Sequence, residues 1–284
     1  MLLAHLIIAL NCAQRSNPAR PTSLHTQEDQ IRVRISLAVI AKIFPTKSQL
    51  AAAAAAQAAT TVRHSIRERG FARIIAATGA SQFEFLEALT QAPQIDWQRV
   101  ELFHLDEYLG IPITHPASFR KYLLDRLINK VGIIRHHLLN GEQDPAQTIA
   151  QVTRELRKSP IDVAFVGIGE NGHLAFNDPP ADFQTDKALA LVTLDAACRR
   201  QQVGEGHFSS IDDVPAQAVT LTIPALLAPR HVLAVVPEAR KAQAVKSALE
   251  GPLTPACPAS ILRTASHVTL YLDRDSAALL DHAG

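Results

Sequence analysis

Short apolar runs alternate with helical patterns along the chain from Arg32 onward. Many of these runs contain β-branched residues, and consecutive apolar positions are typical of strands buried on both faces. The predicted strands are Val33–Ile40, Arg73–Ala77, Val100–Leu105, Asp162–Val166, Leu189–Leu194, Ala218–Leu221, His231–Val236 and Val268–Leu272.

Helical patterns lie between the strands. They predict helices over Lys47–Arg69, Ser81–Gln91, Ala117–Asn129, Pro145–Arg157 and Ala239–Glu250, the last followed by Gly251 and Pro252 as a stop signal. A repeated order of strand and helix predicts a Rossmann-like α/β fold, with a mostly parallel sheet and helices on both faces. No linker rich in Pro, Gly or Ser divides the chain after Arg32. We therefore expect a single domain over residues 31–284.

The first thirty residues have a different pattern. Leu2–Leu10 is an apolar run too short to cross a bilayer, which takes about 20 residues. It resembles the core of a signal peptide, but no Lys or Arg precedes it and no clear cleavage site follows it. We expect residues 1–30 to be an N-terminal extension, either disordered or the product of an upstream start codon.

Charge and cysteine content narrow the class of partner. Lys and Arg total 28 against 27 for Asp and Glu, which disfavours nonspecific binding to nucleic acid or a membrane surface and favours a small-molecule partner. The three cysteines form no C-x-x-C pair, so their spacing indicates neither a disulfide framework nor a metal site. A reducing compartment, and hence a cytoplasmic protein, fits best.

Candidate chemistry follows three of the predicted strands, where open α/β sheets bind their ligands. After the second strand, the small residues Thr78, Gly79, Ala80 and Ser81 open a helix and offer a cradle for a phosphate. The turn lacks the Lys-Ser/Thr of a nucleoside triphosphate site and the glycine pattern of a dinucleotide site. The alternative is that Ser81 is a plain helix N-cap.

The other two segments carry titratable groups. Asp106 and Glu107 follow an apolar strand directly, which suits Asp106 to act as a general base; the alternative is a structural Asp that caps the next turn. Gly167–Pro180 is rich in glycine and contains His173 and Asp178, a pair able to move protons near neutral pH. The alternatives there are a structural histidine and a simple turn.

Together these segments resemble a known family. The motifs are A-T-G at Ala77–Gly79, L-D-E-Y at Leu105–Tyr108, H-P-x-S-F at His115–Phe119 and G-I-G-x-N-G-H-x-A-F-N-x-P at Gly167–Pro179. They are similar to those of glucosamine-6-phosphate deaminases, which belong to a wider group with 6-phosphogluconolactonases and ribose-5-phosphate isomerases. The resemblance runs from about residue 32 to the end of the chain.

The resemblance implies conversion of glucosamine 6-phosphate to fructose 6-phosphate and ammonia, without a metal or an organic cofactor. Asp106 would carry a proton between C2 and C1, and His173, tuned by Asn171 and Asp178, would open the sugar ring. The residues implied to bind the sugar phosphate are Thr78, Gly79, Ala80, Ser81, Arg199 and Lys241. The number of subunits stays open.

Two other functions compete with this interpretation. A 6-phosphogluconolactonase is disfavoured because lactonases carry D-E-R where this chain has Asp106-Glu107-Tyr108. A non-catalytic sugar-phosphate sensor is disfavoured because Asp106 is present and no helix-turn-helix module flanks the domain. The chain also departs from better-known deaminases, which have Glu at the position of Asp178.

Overall fold

The computed structural model describes residues 31–33, 39–204, 206 and 208–281. Its strands are β1 (Ile31–Val33), β2 (Ile40–Phe44), β3 (Ala72–Ala76), β4 (Val100–His104), β5 (Asp106–Tyr108), β6 (Arg135–His137), β7 (Val163–Val166), β8 (Leu189–Thr193), β9 (Gln217–Leu221), β10 (His231–Val236) and β11 (Val268–Asp273). Its α-helices are α1 (Lys47–Arg69), α2 (Phe83–Thr90), α3 (Phe119–Leu123), α4 (Asn129–Val131), α5 (Pro145–Leu156), α6 (Ala196–Gly204), α7 (Ile223–Leu227) and α8 (Ala242–Leu249). The extension predicted over residues 1–30 lies outside the described residues.

The main sheet has the strand order β1-β2-β11-β10-β7-β3-β4-β6. Every pairing is parallel except that of β1 with β2. Successive side chains of a strand point to opposite faces, and each face has its own core: Ile74 packs in one cluster with α1 and α2, and Ile75 in the other with α5 and α8. The predicted α/β fold with helices on both faces is confirmed.

Helix α1 shows how local sequence sets an element's limits. The Thr46 side chain accepts a hydrogen bond from the Gln49 N–H, and the alanine-rich stretch that follows has high helix propensity. Gly70 ends the helix in the left-handed conformation. No helix among the described residues is long and apolar enough to cross a membrane.

A second sheet contains β5, β9 and β8 in that order and is antiparallel. The sequence predicted both β8 and β9 to be buried on both faces, which is wrong for β8, because its residues after Leu189 alternate between half-buried and exposed. A sheet with one face packed on the core and one face exposed to solvent is characteristic of antiparallel pairing. The second sheet continues from β4 through β5 and therefore lies beside the carboxyl ends of the main strands.

Several predicted boundaries shift. The strand predicted over Val33–Ile40 is misplaced along the chain. The strand that pairs with β11 is β2, which begins at Ile40, and residues 34–38 lie outside the described part of the chain. Two predicted helices begin with a turn of 3₁₀-helix, over Ala80–Gln82 before α2 and over Ala239–Lys241 before α8. Strands β5 and β6 and helices α6 and α7 were not predicted.

The topology creates one crevice. From β3 the chain moves outward to β4 and β6, whereas from β7 it moves the other way to β10 and β11. Neighbouring loops therefore diverge at the carboxyl ends of β3 and β7, which is where ligands bind in open α/β sheets.

Candidate active site

A cleft lies at this switch point and contains residues from all three segments singled out in the sequence. Its lining includes Thr78, Gly79 and Ser81 after β3, Asp106 after β4, and His173 in the loop after β7. Ala80 belongs to the same 3₁₀ turn as Ser81. The named lining residues come from three separate segments that span 95 positions of the chain, from Thr78 to His173, so the sheet topology assembles the cleft.

Asp106 is the carboxylate that faces the cleft. It begins β5, pairs with Thr220 of β9 and is only 5% exposed. Burial, with a smaller contribution from the adjacent Glu107 charge, raises the pKa of the Asp106 carboxyl well above its ordinary value. A carboxylate with a raised pKa is a stronger base and retains a proton more firmly once it has taken one.

Glu107 is fully buried and structural. Its carboxylate accepts hydrogen bonds from the Ser118 Oγ at 2.9 Å and from the Phe119 and Arg120 backbone N–H groups at 3.1 and 2.8 Å. The Arg120 Nε also donates to it, at 3.2 Å. Glu107 therefore anchors the start of α3. The alternative of Asp106 as a structural cap of the next turn is not seen, because Glu107 makes these hydrogen bonds.

The glycine-rich loop is shaped around His173. The Gly169 N–H donates to the His173 carbonyl, and the Gly172 N–H donates to the Gly169 carbonyl. A Cβ at Gly169 would lie 2.2–2.4 Å from atoms of the His173 ring, and Gly172 has a φ of +84°. Only glycine at Gly169 lets the imidazole lie directly against the loop backbone.

Asn171 sets the proton position on His173. Its Oδ1 lies 2.6 Å from the His173 Nδ1 and also accepts the His173 backbone N–H at 3.1 Å. Because an amide oxygen only accepts, this assignment puts the ring proton on Nδ1 and leaves the Nε2 lone pair for the cleft. Burial, helped by the Lys241 charge and opposed by Asp195, lowers the pKa of His173 to about 4, so the ring is neutral at pH 7.

Asp178 lies behind the same imidazole. Its Oδ1 is 3.5 Å from the His173 Nδ1, and its Oδ2 accepts the Asp195 N–H at 3.2 Å. Burial raises the pKa of the Asp178 carboxyl, while the Asp195 N–H partly offsets that rise. The neighbouring Asn177 is structural, since its side chain donates to the Leu174 and Leu221 carbonyls.

The turn after β3 is held by residues outside it. The Tyr122 hydroxyl donates to the Gly79 carbonyl at 3.0 Å, and the Gln82 amide donates to the Ser81 Oγ and to the Val235 carbonyl. Ser81 is not the N-cap of α2: that position is Gln82 and makes no side-chain cap bond. The alternative of a plain capping serine is therefore wrong.

Two predicted phosphate ligands have different surroundings. Lys241 is 4% exposed and close enough to His173 for its charge to lower the pKa of the imidazole. Arg199 lies on α6, outside the cleft lining, and donates to the Ile211 and Val214 carbonyls. Neither residue lines the cleft: Lys241 is near enough for its charge to act on His173, whereas the Arg199 guanidinium donates to two backbone carbonyls.

Sequence reasoning gave no role to Phe119, Phe176 or Gln202, which are among the lining residues. Phe119 and Phe176 stack at a centroid distance of 5.8 Å and form an apolar wall. Gln202, on α6, lines the cleft and accepts the Tyr108 hydroxyl at 2.5 Å. Phe119 and Phe176 stand inside the motifs quoted above and could have been found there, whereas Gln202 has no local signal.

Known proteins resemble this chain over most of its length. Residues 45–271 match the family described as glucosamine-6-phosphate isomerases/6-phosphogluconolactonase. The chain is 33% identical over 205 residues to a glucosamine-6-phosphate deaminase of Oenococcus oeni, covering 72% of this chain and 85% of that one. It is 32% identical over 229 residues to glucosamine-6-phosphate deaminase 1 of Bacillus subtilis, covering 78% and 93%.

Solved structures give the same picture. A monomeric glucosamine-6-phosphate deaminase superposes with a TM-score of 0.77 at 30% identity, over 86% of this chain and 100% of the other. A 6-phosphogluconolactonase of Shewanella baltica superposes with a TM-score of 0.70 at 20% identity, over 84% and 99%. At that identity the lactonase likeness concerns the fold alone.

Proposed function

The chain belongs to the family of glucosamine-6-phosphate isomerases and 6-phosphogluconolactonases, and on that basis we propose that it is a glucosamine-6-phosphate deaminase. It converts glucosamine 6-phosphate and water to fructose 6-phosphate and ammonia. One observation carries the proposal: Asp106, a buried carboxylate whose pKa is raised, and His173, a neutral imidazole, line the same cleft as the small-residue turn after β3. The relatives named glucosamine-6-phosphate deaminase are 33% and 32% identical to it over 205 and 229 aligned residues.

His173 opens the sugar ring in this proposal. With the proton held on Nδ1 by Asn171, Nε2 accepts the proton of the C1 hydroxyl and returns it to the ring oxygen as the C1–O5 bond breaks. A neutral ring is required at the start, and the low pKa of His173 provides it. Asp178 lies behind the ring and favours the cation that forms transiently.

Asp106 then transfers the proton. It removes the hydrogen from C2 of the open-chain sugar and delivers a proton to C1, by way of an enolamine intermediate, which leaves an imine at C2. Water then adds to the C2 carbon and the C–N bond breaks, which releases ammonia and leaves the ketone of fructose 6-phosphate. The buried position of Asp106 keeps bulk water away from the acquired proton. The apolar wall of Phe119 and Phe176 contributes to the same exclusion of water.

The phosphate binds at the other end of the cleft. Lys241, whose charge acts on His173 from outside the cleft lining, supplies the positive charge. The turn over residues 78–81 supplies the Thr78 and Ser81 hydroxyls and backbone N–H groups at the start of a helical segment. Arg199 as a second phosphate cation stays a prediction, since its guanidinium is bonded to the Ile211 and Val214 carbonyls. Ring opening, proton transfer and hydrolysis of the imine need only acid–base groups and water, so we assign no metal or organic cofactor to the reaction. A phosphorylated sugar as substrate fits a cytoplasmic enzyme.

An assay of the purified chain tests the proposal. It is incubated with glucosamine 6-phosphate, its epimers and N-acetylated forms, and 6-phosphogluconolactone, and release of ammonia and ketose is measured. We expect both products from a free hexosamine 6-phosphate and, in D₂O, deuterium bound to carbon in a fraction of the fructose 6-phosphate, since the shielding of Asp106 slows exchange of the acquired proton with solvent without preventing it. Hydrolysis of the lactone without ammonia release would identify a lactonase instead, and binding without turnover would identify a sensor.

A further inference from the structure

Three side chains behind the cleft form a cluster that the proposed reaction uses only in part. The ligand atoms of His173, Asp178 and Cys198 all lie within 4.8 Å of one another. His173 and Asp178 come from the glycine-rich loop, and Cys198 comes from α6, where it is 1% exposed. An imidazole, a carboxylate and a thiol so close together are the donor types of a zinc-type site.

Distances within the cluster suit a tetrahedral cation. Bond lengths of about 2.0–2.3 Å from zinc to nitrogen, oxygen and sulfur place neighbouring ligand atoms roughly 3.4–3.6 Å apart. The His173 Nδ1 and the Asp178 Oδ1 are already 3.5 Å apart. These two atoms already have the spacing of two ligands of one cation, and the Cys198 Sγ lies within 4.8 Å of both. Binding at Nδ1 requires the Asn171 Oδ1, now 2.6 Å away, to move aside.

One oxygen in the cluster lacks a partner. The Asp178 Oδ1 is buried and accepts no hydrogen bond within the described part of the chain. A buried acceptor without a partner is costly, and a bound cation would satisfy it. The Asp195 carboxylate adds negative charge close to all three side chains, which opposes the positive charge of Lys241.

We propose that His173, Asp178 and Cys198 bind a thiophilic divalent cation of the zinc type, and that the bound cation inhibits the enzyme. Thiolate and imidazole ligands select zinc, cobalt and cadmium over magnesium and calcium. On binding, Cys198 loses its thiol proton to solvent.

The inhibition rests on the proposed function. It follows because the neutral His173 ring carries a single proton, on either Nδ1 or Nε2. A cation on the His173 Nδ1 displaces the proton that Asn171 holds there. The neutral ring then carries its proton on Nε2, so the nitrogen that faces the cleft donates where ring opening needs an acceptor. The cation thus binds at Nδ1 and blocks ring opening by its effect on Nε2, at the opposite side of the imidazole.

Cobalt serves as a spectroscopic probe for the site. The full chain, with Cys12 replaced by Ser throughout, is freed of metal and titrated with Co²⁺. We expect one equivalent to bind, with the near-ultraviolet charge-transfer absorption of a cobalt–thiolate bond. Cys198→Ser should abolish this absorption and weaken Co²⁺ binding at least tenfold, and Cys198→Ala gives a second test should Ser destabilise the buried position.

Cys257→Ser is the matched control, because Cys257 is the other free cysteine of the described residues and lies outside the cluster. It should leave the absorption intact. Absence of the absorption from the parent protein, its persistence in Cys198→Ser, or its loss in Cys257→Ser would overturn the site. These outcomes do not depend on enzymatic activity, so they separate failure of the site from failure of the proposed function.

The inhibition has its own test. Micromolar Zn²⁺ should suppress turnover of glucosamine 6-phosphate, EDTA should restore it, and the same concentration of Mg²⁺ should have no effect. Cys198→Ser should require at least tenfold more Zn²⁺ for the same suppression. Full activity of a protein with Co²⁺ or Zn²⁺ bound at Cys198 would overturn the inhibitory role.

Discussion

Asp106 and Glu107 are chemically similar neighbours with opposite surroundings. Consecutive side chains of β5 point to opposite sides, so one carboxylate reaches the cleft and the other reaches the start of α3. The sequence predicted Asp106 as the general base and gave Glu107 no role, although both carboxylates follow the same apolar strand and each is costly to bury without a partner. Ser118 and Arg120, which bind Glu107, stand eleven and thirteen positions downstream, and only the fold brings them to it.

Replacement of Asp106 tests the base directly. Asp106→Asn keeps the shape but cannot accept a proton, so kcat should fall by about 10²–10⁴-fold while the sugar phosphate still binds. Steady-state kinetics and calorimetric titration measure the two effects separately. An unchanged kcat would remove Asp106 from the proposed mechanism.

Glu107→Gln is the matched control on the adjacent residue. It leaves the Arg120 guanidinium without its buried anion, and the loss of one partner from such a pair costs about 3–5 kcal/mol of folding free energy. We expect a large fall in the urea midpoint for Glu107→Gln and little change for Asp106→Asn. The reverse order would exchange the two roles.

Asn171 offers a second residue-scale prediction, on the pKa of His173. Asn171→Asp places a carboxylate at the position that now contacts Nδ1, and an adjacent negative charge favours the imidazolium form. The pKa of His173 should rise from about 4 towards its ordinary value of 6.5. Titration of ¹³C-labelled histidine followed by NMR measures it, and Asn171→Ser, which adds no charge, should give no comparable rise.

At the scale of elements, the turn after β10 positions Lys241. Glu238 has a φ of +84°, which is rare for a residue with a side chain, and its N–H is held by both carboxylate oxygens of Asp273 at 3.0 and 3.2 Å. Such a backbone costs of order 1–3 kcal/mol and persists only where its surroundings enforce it. The 3₁₀ turn that follows ends at the buried Lys241.

Lys241→Ala tests the use of this turn. Loss of one partner from a buried charge pair should remove about 2–4 kcal/mol of transition-state binding, expressed mainly in KM for the phosphorylated sugar. Lys246→Ala, on α8 and paired with Glu250 and Asp281 at the surface, should leave KM unchanged. Equal kinetics for both variants would place the phosphate elsewhere.

The elements that the sequence predicted well are those with strong local signals. Helix α1 has a cap at each end, and β3, β7 and β10 are mostly apolar and lie between helical patterns. Strand β5 was missed because three residues, two of them acidic, show no periodicity. Membership of β8 in a separate sheet depends on its antiparallel partner β9, which local sequence does not specify.

At the scale of the whole molecule, topology decides which candidates meet. Thr78, Asp106, His173 and Lys241 each follow a different strand, and the order β10-β7-β3-β4 puts those four strand ends side by side. Their positions were predictable as strand ends, but their adjacency was not, since sequence order says little about order in a sheet. Arg199 shows the same limit in reverse: its motif position suggested the site, and its helix carries it to the Ile211 and Val214 carbonyls instead.

Stability of the whole fold should depend on pH through His104, the last residue of β4. It is fully buried, its Nε2 has no hydrogen-bond partner among the described residues, and burial together with the Arg120 charge lowers its pKa to about 3. The folded state therefore keeps this ring neutral, whereas the unfolded chain protonates it below pH 6.5. Because the unfolded state binds the extra proton, stability falls as the pH drops from 6.5 towards 3, by about 1.4 kcal/mol per pH unit for one group.

His104→Leu removes the imidazole that binds this proton in the unfolded state. It therefore also removes the contribution of His104 to the dependence of stability on pH. Between pH 7 and pH 5 the free energy of unfolding should fall by about 2 kcal/mol less in His104→Leu than in the parent protein, as measured by urea titration at each pH. The other buried groups, His173 and Asp106 among them, titrate alike in both proteins and cancel in the comparison. His136→Leu, at an exposed position on β6, should keep the slope of the parent. Parallel pH curves for the parent and His104→Leu would mean that the folded state accepts a proton on His104 as readily as the unfolded chain does.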